Sequence, residues 1–195
     1  MTTGDQTLSE TLETIVGRIS PVQLTAPGPT AQQRALLLQA ACSAPDHGRV
    51  QPWRLTFIEG AARQRLGDLM AKSLKRREPD APDTKLQAEK VKAMRAPLVV
   101  VAAAQIQGEK IPAIEQVVAT GADVQNMILA AHAMGLGALW RTGAVAYDEE
   151  FKKAFDLGPQ DALVGIVYIG KLGSAGRARD TMNTSVCRNW SRRTP

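Results

Sequence analysis

Leu8, Leu12, Ile15 and Val16 recur at helical spacing between Thr7 and Gly17 and predict a short amphipathic helix ended by a glycine. A loop holding Pro21, Pro27, Gly28 and Pro29 follows. Thr30 with Gln33 three residues later forms a capping-box sequence, and Leu36, Leu37, Ala40 and Ala41 carry a second helix that must stop near Pro45. Between Pro52 and Gly60, Trp53, Leu55 and Phe57 alternate with Arg54 and Thr56, the period of a strand with one face inward.

Leu66, Leu69, Met70 and Leu74 place Ala61–Arg77 on a surface helix. Glu78–Asp83, with two prolines and three acids, reads as a loop, and Lys85–Met94 as a further helix. The unbroken apolar run Leu98–Ala104 after Pro97 reads as a buried central strand. From Pro112 to Met134, Ile114, Val117, Gly121, Val124, Met127 or Ile128, and Ala131 are three or four apart, so a long helix is expected, with small residues that permit close packing on another helix. Ala138–Arg141 reads as a short strand, Asp148–Phe155 as a capped helix, and Leu163–Ile169 as a β-branched strand ending at Gly170. Strands separated by helices fit a layered α+β or α/β architecture in one domain over residues 1–195. The polar tail beyond Gly173 and the 114–134 stripe do not complete a monomer core, so a homodimer is expected.

With 195 residues, 44% apolar and 22% charged, the composition is that of an ordinary globular protein and excludes disorder throughout. No apolar run reaches membrane-span length, so no membrane partner is expected. The first residues lack the basic and apolar regions of a secretory signal, so a cytoplasmic location is expected. Cys42 and Cys187 lie far apart, and with only His47 and His132 the chain offers neither a disulfide framework nor a zinc-type cluster. The net charge of +5 is local: from Lys171 onward there are six basic residues and one acid, and the remainder is neutral. A neutral body with a basic end argues against nucleic acid and is compatible with a small anionic ligand or a phosphorylated cofactor.

Gly135-Leu-Gly137, followed by Trp140-Arg-Thr-Gly143, lacks the strand-to-helix setting and spacing of a dinucleotide fingerprint; glycines that end a long helix account for it better. The polar loop Ser43–Arg54 carries more chemistry. His47 can donate or accept from either ring nitrogen, Arg49 and Arg54 donate, and Gln51 does both, a set suited to a planar heteroaromatic. The same residues also fit a rigid loop set by Pro45, Pro52 and Trp53, with His47 solvated.

The pattern Ala44-Pro-Asp-His47, then Gln51-Pro-Trp-Arg54, together with Gly17-Arg18-Ile19-Ser20 after the first helix and Leu139-Trp-Arg-Thr-Gly143 before the last strand, resembles the flavin-dependent nitroreductase family, in particular its small YdjA-type NAD(P)H nitroreductases. The likeness spans residues 8–173 and leaves 174–195 as a basic extension. It implies an α+β fold, a mixed sheet flanked by helices in an intertwined homodimer, with FMN at the subunit interface. It also implies hydride transfer from NADH or NADPH through the flavin to a nitroaromatic, quinone or related small electrophile. The alternative is a flavin-binding protein without turnover. Residue by residue, the likeness assigns flavin contacts to Arg18, Ile19 and Ser20, to Ser43 and His47, and to Trp140, Arg141 and Thr142. Arg18 falls to the phosphate, where a guanidinium offers a planar fork of donors to a dianion. The family's second arginine is Ile19 here, and an arginine of the relatives is Ser43. Met134, Gly135, Leu136, Gly137, Ala138 and Leu139 fall where the nicotinamide donor is expected. No side chain is required as a nucleophile.

Overall fold

A computed structural model describes residues 3–108 and 110–173; the basic extension and Cys187 lie outside them. The order is α1 (Thr3–Gly17), β1 (Leu24–Thr25), α2 (Ala31–Cys42), β2 (Trp53–Glu59), α3 (Ala62–Arg77), α4 (Asp83–Val91), β3 (Leu98–Ala104), α5 (Ala113–Ala133), β4 (Leu136–Arg141), α6 (Glu149–Lys153) and β5 (Ala162–Leu172). The Thr30–Gln33 capping box is fully formed, each side chain bonded to the other's backbone amide. At α6 the Asp148 carboxylate accepts from Phe151 N, so the expected cap is present on a shorter helix. Lys85–Met94 divides into the end of α4 and a 3-10 turn at Lys92–Met94.

β2, β3 and β5 lie side by side, with β4 on the free edge of β5 and the two-residue β1 pairing near the β5 C-terminus. Among the described residues every ladder is antiparallel. β3 is central and buried along its whole length, as its apolar run predicts. Its side chains alternate between two cores. Leu98, Val100 and Ala102 face α2 and α5 together with Leu37, Val124, Met127 and Ile128. Val99 and Val101 face the other way, with Leu66 and Met70 of α3, Phe151 and Tyr168. The molecule is thus a sheet between two helical layers, and strand period 2 decides which layer each side chain reaches.

Two details of α5 and β4 differ from the sequence reading. Ile114 and Val118, on the first turns of α5, stay exposed, while Val124, Met127, Ile128 and Ala131 of the stripe are buried. Gly135, with φ +73°, follows α5 as a helix-ending glycine, but Gly137 is already inside β4, its Cα facing Leu24, Pro21 and Leu172.

Candidate functional site

The Ser43–Arg54 loop is held by its own backbone chemistry. Asp46 accepts a 2.7 Å hydrogen bond from Gln51 N, and Arg49 and Gln51 adopt positive φ around Gly48, which at φ +77° leaves no room for a Cβ against Ile111. This curl presents His47 to the first turn of α5, where Nδ1 meets the Glu115 carboxylate. If Glu115 accepts from Nδ1–H, Nε2 is the ring nitrogen left for a ligand. Glu115 is a site residue that sequence reading missed, because an acid in a first helical turn is already explained by the helix dipole. His47 and Glu115 edge an open, largely apolar cleft of about 330 Å³ with Ile114, Val118 and Ala122.

Further along α5 the chemistry changes. Ser43 caps α2, donating to Ala40 O at 2.7 Å, and its Oγ lies 3.5 Å from Asn126 Nδ2 on α5. Beside it Asp123 is fully buried, with no hydrogen-bond partner among the described residues for either carboxylate oxygen, and burial pushes its pKa up to about 7. The neighbouring Cys42 thiol is raised too, first by its own burial and then by Asp123, with Trp53 acting in the opposite direction.

Arg18 and Ser20 form a third group. Arg18 Nη1 donates to Ser20 Oγ at 3.1 Å, with Ile19 half-buried between them. This segment leaves α1 at Gly17, whose Cα faces His132 near the C-terminus of α5. Glu115 and His132 are 17 residues apart on one helix, so the Arg18 group and His47 are roughly 25 Å apart along its axis.

The Trp140-Arg-Thr segment is split by strand period. Trp140 packs on the α5 side, its Nε1 donating to Val164 O at 3.2 Å and its ring over Gly165, while Arg141 lies in the cleft on the α3 side with Thr142. Of the segment expected to meet the nicotinamide, Leu136, Gly137, Ala138 and Leu139 are buried in β4; Met134 is half-buried and Gly135 exposed. One chain therefore brings together Arg18 with Ser20, Ser43 with Asn126, and His47 with Glu115, but does not bring those three pairs to one place.

The nitroreductase family model matches residues 15–171, nearly the whole described chain. The chain belongs to the nitroreductase family. It is 33% identical to YdjA of Escherichia coli strain K12, which carries a provisional NAD(P)H nitroreductase name, over 83% of this chain and 87% of that one. A Haemophilus influenzae relative with the same kind of name is 31% identical over 83% of this chain and 88% of its own. Among solved structures, the nitroreductase-like protein of Bacillus cereus superposes with a TM-score of 0.77 at 24% identity, over 90% of this chain and 92% of that one. The NADPH:FMN oxidoreductase of Vibrio harveyi, solved with NAD+, superposes with a TM-score of 0.74 at 17% identity, over 95% of this chain and 79% of its own. These structural likenesses establish the shared α+β fold of this nitroreductase-family chain.

Proposed function

We propose that the protein is an FMN-dependent NAD(P)H oxidoreductase that works as a homodimer, each flavin held between Arg18 and Ser20 of one copy and Ser43 and His47 of the other. The observation that carries this reading is the spread of flavin-type donors along α5 in one chain, on a molecule that leaves Leu12, Ile15 and Val16 of α1 and Ile114 and Val118 of α5 exposed. Apolar faces of this kind mark surfaces that pair with another chain. The family relatives named for NAD(P)H and the Desulfovibrio desulfuricans structure solved with FMN support the cofactor and donor.

The donor set fits the cofactor. A guanidinium already aligned with a hydroxyl suits a phosphate dianion, and a histidine oriented by a carboxylate suits a planar ring with acceptor edges. Bound FMN supplies a two-electron carrier between the nicotinamide and the acceptor. Arg18 and Ser20 fix the phosphate end, the Glu115 contact sets the direction of the His47 ring, and Arg141 beside Thr142 offers positive charge where electron density increases. The buried Leu136–Leu139 strand keeps the floor of the site rigid, so donor contacts fall to Met134 and Gly135 at its exposed start. The acceptor is a nitroaromatic, a quinone or a related electrophile.

Absorbance of the purified protein tests this reading. Visible flavin bands, bleached by NADH or NADPH under anaerobic conditions and restored by an added nitroaromatic, are expected. A protein that stays colourless after incubation with FMN overturns it, and bands that neither nucleotide bleaches indicate flavin binding without turnover.

A further inference from the structure

The open cleft of about 330 Å³ beside His47 is walled by the first half of α5 and closed at one side by Pro45. Ile114, Val118 and Ala122 are four residues apart, so they form one stripe of the helix and one continuous wall. Ala119 and Ala122 are short, and this stretch of α5 leaves room that larger side chains would fill. The space is at the small end of the range for ligand sites, enough for one or two fused rings.

Among the described residues, the lining holds no lysine or arginine. Its one group able to take up positive charge, His47, already faces the Glu115 carboxylate. Ile114 and Val118 are 66% and 63% exposed, so a flat apolar ring laid against them removes both from water, which is favourable. An anionic substituent on the same ring gives up its hydration there without gaining a cationic partner, and it meets Glu115. A neutral ring uses the wall; a charged one is penalised by it.

We propose that this cleft receives the ring of the electron acceptor and selects neutral planar aromatics over anionic ones, with Ile114, Val118 and Ala122 as the specificity-determining wall. The inference rests on the oxidoreductase reading, because His47, assigned there to the flavin ring, is also a side of this cleft. For a nitroaromatic the step balances as ArNO2 + NAD(P)H + H+ giving ArNO + NAD(P)+ + H2O. One N–O bond breaks, the hydride supplies both electrons, and solvent supplies the remaining proton.

The test compares 4-nitrobenzamide with its anionic isostere 4-nitrobenzoate as acceptors for the FMN-loaded enzyme. Calorimetry measures the binding of each to the oxidised protein without nucleotide. A preference of about tenfold or more for the amide is expected in kcat/KM and in binding, the scale of one uncompensated polar burial. Val118→Lys, and separately Ile114→Lys, should keep their flavin, weaken amide binding and bring the preference towards one. Equal values for the two acceptors in the wild type, or a preference that both variants retain, overturn the inference. Loss of FMN from both variants also overturns it, because the cleft then holds the flavin or the second copy. Turnover of neither acceptor, with amide binding that the lysines weaken, overturns the oxidoreductase reading and leaves a site for neutral aromatics; absence of both overturns both.

Discussion

At the scale of single residues, the least expected group is Asp123. Its position within a helix rich in small residues gives no sign that both carboxylate oxygens are buried without a partner among the described residues. A carboxyl raised from 3.8 to about 7 by burial binds more protons folded than unfolded. Its contribution is therefore fully present below about pH 4, and is lost as pH rises towards 7. Unfolding titrations across that window should show the wild type losing up to about 4 kcal/mol that Asp123→Asn does not lose, at about 1.4 kcal/mol per pKa unit. Matching pH profiles for the two proteins would show that Asp123 is solvated. His47 illustrates how far the sequence could be read: the loop and its histidine were legible as a polar patch, but Glu115 lies 68 residues away and only the fold makes it a neighbour.

At the scale of elements, legibility followed the strength of local signals. The capping box placed the start of α2 to the residue, and the unbroken apolar run of β3 announced a strand buried on both faces. β1 was invisible because two residues carry no period, and β4 began two residues early because the sequence assigned Gly137 to the helix end. A glycine in a strand often marks a close approach rather than a turn, and Gly165 of β5 is the sharper case. A Cβ there would lie 2.0 Å from Trp140 Nε1. Gly165→Ala should therefore displace the indole, break its hydrogen bond to Val164 O and cost about 2 kcal/mol or more, as overpacking in a core does. Denaturant unfolding followed by tryptophan emission checks this; an unchanged midpoint and unchanged emission would mean that Trp140 is not wedged against the strand.

At the scale of the whole molecule, the fold class could be read from the alternation of helices and strands, whereas the assembly of the site could not, because it depends on which surfaces meet. The family motifs named Arg18, Ser43 and His47 together, yet a single chain spreads them along α5 with apolar side chains exposed at Ile114 and Val118. The account predicts that two copies complete what one divides. Mixed dimers carrying Arg18→Glu in one copy and His47→Trp in the other, isolated with two different tags, test this most directly. Each parent homodimer should lose most of its FMN, because every site in it is damaged. The mixed dimer should recover about half of the wild-type flavin content, since one of its two sites receives only undamaged residues. A mixed dimer with no more flavin than its parents would contradict the account and place the whole site within one chain.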